Sequence, residues 1–167
     1  PSQELPQFPA HNYKRSGRPG DMEHSSTVRH IDLKNANLFP FGFGLSYTTY
    51  KYDAPKCAPT FDSKGNLKVK VRVTNIGDVD GEEIVQLYVA DKVASMVRPV
   101  KELKAFKKVF IAKKQSVEVE LDVNAKDLGF YTNDMKYVVE PGEFTIMTGP
   151  NSEDLQTCSV RLNKAIE

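Results

Sequence analysis

The 167 residues, 40% of them hydrophobic, suffice for one domain with its own core and fall short of two full-sized ones. Lys and Arg number 23 against 22 Asp and Glu, and a net charge of +1 gives no electrostatic footprint for nucleic acid or an anionic membrane. Two cysteines do not frame a fold, three scattered histidines do not make a zinc site, and no apolar run approaches the ~20 residues that span a bilayer.

Residues 1–37 are polar and aperiodic, and Pro1, Pro6, Pro9 and Pro19 would interrupt any helix, so they read as an irregular arm. The start Pro1-Ser2-Gln3-Glu4, without an initiator Met or an apolar leader, reads as a piece cut or processed from a longer chain. Residues 38–46 are apolar but carry Pro40, Gly42 and Gly44, the composition of a turn-rich linker rather than an anchor.

From residue 47 the pattern is β. Strands are expected over Tyr47–Asp53, Leu67–Asn75, Glu83–Ala90, Glu102–Ile111, Gln115–Val123, Glu143–Thr148 and Thr157–Leu162. Two of them alternate cleanly. Leu67, Val69, Val71 and Val73 interleave with Lys68, Lys70 and Arg72, and Val117, Val119, Leu121 and Val123 interleave with Glu118, Glu120 and Asp122. Glu83–Ala90 is apolar on both sides, with Val85, Leu87 and Val89 against Ile84, Gln86 and Tyr88, as suits an inner strand. Asp62-Ser63-Lys64-Gly65, Asn75-Ile76-Gly77-Asp78 and Pro141-Gly142 supply turns, and Asn124–Leu128 one short helical turn. Regular turns, half-buried strands and no convincing helix predict an all-β antiparallel sandwich of about seven strands.

The same residues offer no chemistry. Glu82 and Glu83 are neighbours on a strand and point to opposite faces, while Glu118 and Glu120, about 7 Å apart, share a solvated one. There is no nucleophile elbow, and Gly42-Phe43-Gly44-Leu45-Ser46-Tyr47 lacks the third glycine and the helix of a phosphate loop. No catalytic, cofactor-binding or metal-ligating residue is therefore expected, and no cofactor. Tyr13, Tyr50, Tyr52, Tyr88, Tyr131 and Tyr137 could stack sugar rings, although core or rim is the commoner use of a sandwich aromatic. Cys57 and Cys158 are expected as separate thiols, with one disulfide as the alternative, because a bond needs Cβ atoms about 4 Å apart.

Four ordered strings carry a resemblance. Leu38-Phe39-Pro40-Phe41-Gly42-Phe43-Gly44-Leu45-Ser46-Tyr47-Thr48-Thr49-Tyr50 resembles the join before the C-terminal domain of glycoside hydrolase family 3 β-glucosidases and β-xylosidases. Val73–Val89, with Asn75, Gly77 and Gly81, is similar to that family's Val-Thr-Asn-x-Gly…Gly-x-Glu-Val-x-Gln-Leu-Tyr hairpin. Arg98-Pro99-Val100-Lys101-Glu102-Leu103-Lys104-Ala105-Phe106 resembles its Arg-Pro-x-Lys-Glu-Leu-Lys-Gly-Phe stretch, departing at Ala105, and Pro141-Gly142-Glu143-Phe144 its late Pro-Gly-x-Phe/Tyr string. Gly17-Arg18-Pro19 extends the likeness into the arm.

The resemblance implies an immunoglobulin-like, fibronectin type III-like sandwich over 47–167, a linker over 38–46, and in 1–37 the tail of an α/β sandwich domain. It implies a parent that hydrolyses β-linked glucosides or xylosides with retention and without a cofactor. In that family the catalytic carboxylates lie in upstream domains, so none carries over to this chain. The implied partners are those upstream domains and, as a further possibility, polysaccharide; the address implied by analogy is periplasmic or secreted. The alternative is an independent carbohydrate- or protein-binding module. Structural work is expected of the motif residues. Gly42 and Gly44 would relieve crowding, Phe39 and Phe41 would offer docking surface, and Arg98 or Glu102 could pair locally. Leu45, Ser46, Tyr47, Pro99 and Leu103 complete the set.

Overall fold

Period-two alternation becomes strand throughout the computed structural model, which describes residues 39–62 and 64–165. The expected arm, with Tyr13, Gly17-Arg18-Pro19 and all three histidines, lies outside the described residues, as does Ser63 of the first turn. The strands are β1 (Tyr50–Tyr52), β2 (Lys56–Cys57), β3 (Asn66–Asn75), β4 (Gly81–Asp91), β5 (Glu102–Ile111), β6 (Ser116–Asn124), β7 (Phe130–Tyr131), β8 (Tyr137–Val138), β9 (Gly142–Gly149) and β10 (Gln156–Leu162). All seven expected strands are among them, the first shortened to three residues. The other three are two-residue pieces, too short for alternation to register.

Two four-stranded antiparallel sheets form the layers. In one, β1 and β2 lie along one edge of β3 and β6 along the other. The second has the order β10-β9-β4-β5, so β4 is an inner strand. β7 and β8 form a separate small hairpin. The core is what alternation specifies: Leu67, Val69, Val71 and Val73 meet Val85, Leu87, Phe144 and Ile146, all within 2% of complete burial. Fully burying a side chain of this size contributes about 1.5–3 kcal/mol. A charge placed at Val71 would therefore be among the most damaging single changes. Asn124 accepts from Lys126 N and caps a 3-10 turn over Ala125–Leu128, which closes the core at one end with buried Ala125 and Leu128.

Two expectations are corrected. The Val73–Val89 string does not make a hairpin: β3 pairs with β6, and β4 with β5 and β9. Both strands have an apolar row to bury, and facing each other across the core hides the two rows together. Residues 76–80 therefore cross between sheets. The cysteines are not separate thiols either, because Cys57 and Cys158 form a disulfide with Cα atoms 6.8 Å apart. After β2 the chain leaves the first sheet and runs beside β10, where Thr60 bridges Arg161 and Arg161 N donates to Pro59 O at 2.8 Å. That crossing brings together two cysteines 101 residues apart, and sequence spacing could not reveal it.

Candidate functional site

The four motif strings, scattered over about a hundred residues, gather against the second sheet. Its outer face begins with cross-strand register. Glu82, Ile84 and Gln86 stand opposite Phe110, Lys108 and Phe106, and these six side chains share the face turned away from Val85 and Leu87. A bulge between Leu87 and Tyr88 skips Lys104 and puts Leu103 opposite Tyr88.

Gln86 is a buried amide at the centre of this apolar strand, and it is satisfied by the linker, the loop after β9 and its neighbour Tyr88. Its Nε2 donates to Gly42 O at 2.9 Å and to Pro150 O at 2.5 Å, and its Oε1 accepts from the Tyr88 hydroxyl at 2.5 Å. Burial pushes that phenol up to about 12, so it remains a donor at any physiological pH. The Phe41 ring meets Tyr88 edge-on with centroids 6.5 Å apart, and Phe41 O accepts from Ser152 N at 2.9 Å. Gly42 has φ +78°, and a Cβ there would overlap the Gln86 side chain, so both backbone conformation and space call for glycine. Gly44 is different. No other residue lies within 4 Å of where its Cβ would be, so the expected crowding there is absent among the described residues.

Further along, the same strand-like segment is fixed at two more stations. Asn75, fully buried, donates to Val79 O at 2.8 Å and Ile111 O at 3.0 Å, and accepts from Thr48 Oγ1 at 2.6 Å and Gly77 N at 3.1 Å. One side chain thus holds the sheet crossing, the end of β5 and the exit of the linker. Gly77 lies against Thr48 and Gly81 against the Tyr50 hydroxyl, both too close for a Cβ. The third station is Tyr52, whose hydroxyl donates to Glu83 Oε1 at 2.6 Å. Burial raises the Glu83 carboxyl above its usual range against the opposing pull of that bond, and burial raises Tyr52 too.

The Arg98–Phe106 string flanks this seam. Arg98 reaches Glu102 Oε1 at 2.8 Å and stacks 4.9 Å above the Phe130 ring; Lys104 reaches Glu102 Oε2 at 2.8 Å. Burial alone would lift the Glu102 carboxyl, but Lys104 and Arg98 outweigh it and hold it below the usual range. Lys101 Nζ donates to Ser152 O, so the residue whose amide holds Phe41 also holds this string. Pro99 is exposed, and Pro141 precedes the first residue of β9, Gly142, near Val93 O. Of the linker residues, Phe39 packs on Phe43 at 5.1 Å, Ser46 Oγ accepts from Thr48 N at 3.3 Å, and Leu45 and Tyr47 point fully into solvent.

What this arrangement does is mechanical. It straps residues 41–52 along residues 75–88 at Gln86, Asn75 and Glu83, so the chain enters the sandwich on a fixed path. Sequence reasoning quoted Gln86 and Thr48 within its strings without a role, considered Tyr88 only as a ring that could stack on sugar and Glu83 only as half of a carboxylate pair, and did not single out Pro150 and Ser152. One polar residue in the middle of an apolar run was the available signal. Among the described residues no three His, Cys, Asp or Glu side chains group as metal ligands.

Comparison with known proteins identifies the domain. The family model of a fibronectin type III-like domain matches residues 83–152. The chain is 38% identical over 162 residues to a β-glucosidase of Bacteroides ovatus, which covers 91% of this chain and 22% of that one. It is 36% identical over 155 residues to the periplasmic β-glucosidase of Salmonella typhimurium, at 91% and 20%. The β-glucosidase of Listeria innocua, solved with glucose, superposes with a TM-score of 0.77 at 31% identity, covering 92% of this chain and 22% of that one. The chain thus spans about a fifth of the length of these relatives.

Proposed function

The chain carries the fibronectin type III-like domain of glycoside hydrolase family 3 enzymes, and on that premise we propose that it is the non-catalytic accessory domain of a parent that hydrolyses β-linked glucosides or xylosides. The relatives named above are β-glucosidases, and a β-xylosidase of Formosa agariphila is 46% identical over 126 residues. They are the grounds for a glycoside hydrolase parent, and by family resemblance for one that retains configuration without a cofactor.

The observation that carries the accessory role is the strapped linker. A freely tethered module needs a flexible connection, whereas here a buried amide, a buried asparagine and a tyrosine–carboxylate bond fix the path of residues 41–52. Such a join transmits orientation from the sandwich to whatever precedes it. The carboxylates considered for chemistry have ordinary partners: Glu82 is paired with Lys108, Glu120 with Lys68, and Glu83 with a phenol. The Cys57–Cys158 bond fits an oxidising compartment for the parent, the kind of address the name of the Salmonella relative states.

The test is deletion of residues 45–167 from the full-length parent. A lowered melting temperature or lost soluble expression is expected. An unchanged melting temperature with full activity would overturn the proposal.

A further inference from the structure

The two lateral openings of the sandwich are closed in different ways. Between β5 and β6 the chain itself joins the two sheets, through a tight turn in which Gln115 N donates to Ala112 O at 3.0 Å. Between β3 and β10 the cover is residues 53–62, the stretch that leaves β1, forms the two-residue β2 and crosses to the second sheet. Its ends are pinned to the first sheet, Asp53 N donating to Arg72 O and Asp62 N to Asn66 O, both at 3.0 Å. In its middle it caps the outer edge of β10, where Thr60 bridges Arg161 and Pro59 O accepts from Arg161 N. An uncapped edge offers its free amides and carbonyls to any passing strand.

Little besides the Cys57–Cys158 bond holds that cap. Of residues 53–62 only Pro55 and Phe61 are buried, Phe61 edge-on to Phe144 at 6.4 Å, and Cys57 is half-buried; the other side chains face solvent. β2 meets β3 at Lys56 and Cys57 alone. Segments with few buried contacts and few backbone bonds are those that open locally while the rest of a domain stays folded. The buried rows of β3, β4 and β9 are held by ladders in which the bond takes no part. Neither cysteine is sealed in the core. Cys158 is half-buried like Cys57, and Lys56, Ala58, Thr157 and Ser159 beside them are exposed, which leaves a solvent thiol a path to the bond.

We propose that the Cys57–Cys158 disulfide is a redox clasp: its reduction by a dithiol releases residues 53–62 from β10 and leaves the rest of the sandwich folded. One thiolate of the dithiol attacks a sulfur of the bond, forming a mixed disulfide and expelling the other cysteine as a thiolate, which takes up a proton. The second thiolate of the dithiol then attacks its partner sulfur and expels the remaining cysteine. Two electrons pass to the protein, two protons end on Cys57 and Cys158, and the dithiol becomes a cyclic disulfide. The edge of β10 is then capped in an oxidising compartment and open in a reducing one. The clasp concerns this chain's own edge, so it stands or falls independently of the accessory role.

Hydrogen exchange of the full-length parent, read by mass spectrometry before and after dithiothreitol, tests the clasp, with thiol alkylation confirming that Cys57 and Cys158 are reduced. Exchange faster by about tenfold or more is expected in residues 53–62 and along the Arg161 edge of β10, with residues 67–73 and 84–89 unchanged. A parent carrying Cys57→Ser and Cys158→Ser should exchange fast at both places without the reagent and gain nothing from it, which excludes other disulfides of the parent as the cause. Unchanged exchange in residues 53–62 after verified reduction would overturn the proposal, since Pro55 and Phe61 would then hold the cap alone. Resistance of the bond to the reagent in the folded parent would overturn it too. So would exchange rising equally through β3 and β4, which would make the bond a staple of the whole fold.

Discussion

On β3 and β6 the outward rows are Lys68, Lys70 and Arg72 opposite Asp122, Glu120 and Glu118, whereas on β4 and β5 they are Glu82, Ile84 and Gln86 opposite Phe110, Lys108 and Phe106. Both sheets bury the same kind of apolar row on the inside, so the core cannot explain the difference. The first outer face is a ladder of exposed opposite charges that water can solvate unaided. The second mixes exposed aromatic rings with a buried amide completed by Gly42 of the linker together with Pro150 and Tyr88. A sandwich needs one wet face per sheet. The second sheet departs from that rule, with apolar rings exposed on its outer face and a strapped chain crossing it.

The comparison breaks most visibly at Gln86. Replacing it with Leu keeps the volume but leaves Gly42 O, Pro150 O and the Tyr88 hydroxyl without their partner. A loss of about 2–4 kcal/mol is expected by denaturant unfolding, together with faster proteolysis within residues 39–47. An unchanged midpoint would mean that water replaces the amide and that the strap is ornamental. Gly42→Ala attacks the same contact from the other side, through φ +78° and the overlap with Gln86, and should cost about 1–3 kcal/mol. If Gly42→Ala is silent while Gln86→Leu is not, the linker has room to shift without being released.

Glu83→Gln sharpens the comparison in the opposite direction. Burial raises the Glu83 carboxyl in the folded state. A raised folded value contributes stability that is fully present below the unfolded pKa and lost as pH rises through the folded one, so the ionised carboxylate is a cost at neutral pH. A glutamine still accepts from the Tyr52 hydroxyl and carries no charge. The variant should therefore be more stable than the wild-type chain at pH 7, by less than either loss above, with the advantage disappearing on acidification through the ordinary glutamate range. Melting curves across that range read it directly, and a destabilised variant at neutral pH would show that Tyr52 requires the anion.

How much of this was legible depended on whether a residue answers to its neighbours in sequence or in space. Leu67–Val73 and Val117–Val123 gave their strands and their buried faces, because period two is a local property. Pairing partners were less accessible. The Val73–Val89 string reads as a hairpin until both of its strands need to bury an apolar row, which is a decision of the whole sandwich. The disulfide needed the crossing from β2 to β10, and the seam needed Gly42 and Gln86, 44 residues apart, to meet. Gly42 was assigned to crowding correctly in kind, but the same reasoning at Gly44 met open space, since a glycine in a string does not say what lies beside it.

The smallest effect is expected on the charged face and is the control for all the others. Glu120 meets Lys68 at 2.7 Å and Lys70 at 3.4 Å with every partner well exposed. The hydrogen bonds from Lys68 and then Lys70 hold its carboxyl below the usual range. A lowered folded value contributes stability above the unfolded pKa that is lost as pH falls through the folded one, so Glu120→Gln should melt slightly below the wild-type chain at neutral pH and low salt. At 1 M salt, where charges are screened beyond about 3 Å, that difference should close, while the loss from Gln86→Leu should persist because a buried amide is not screened. A Glu120→Gln penalty that survives high salt, or that equals the penalty at Gln86, would mean that the charged ladder also organises the fold and that the two faces are less different than their side chains suggest.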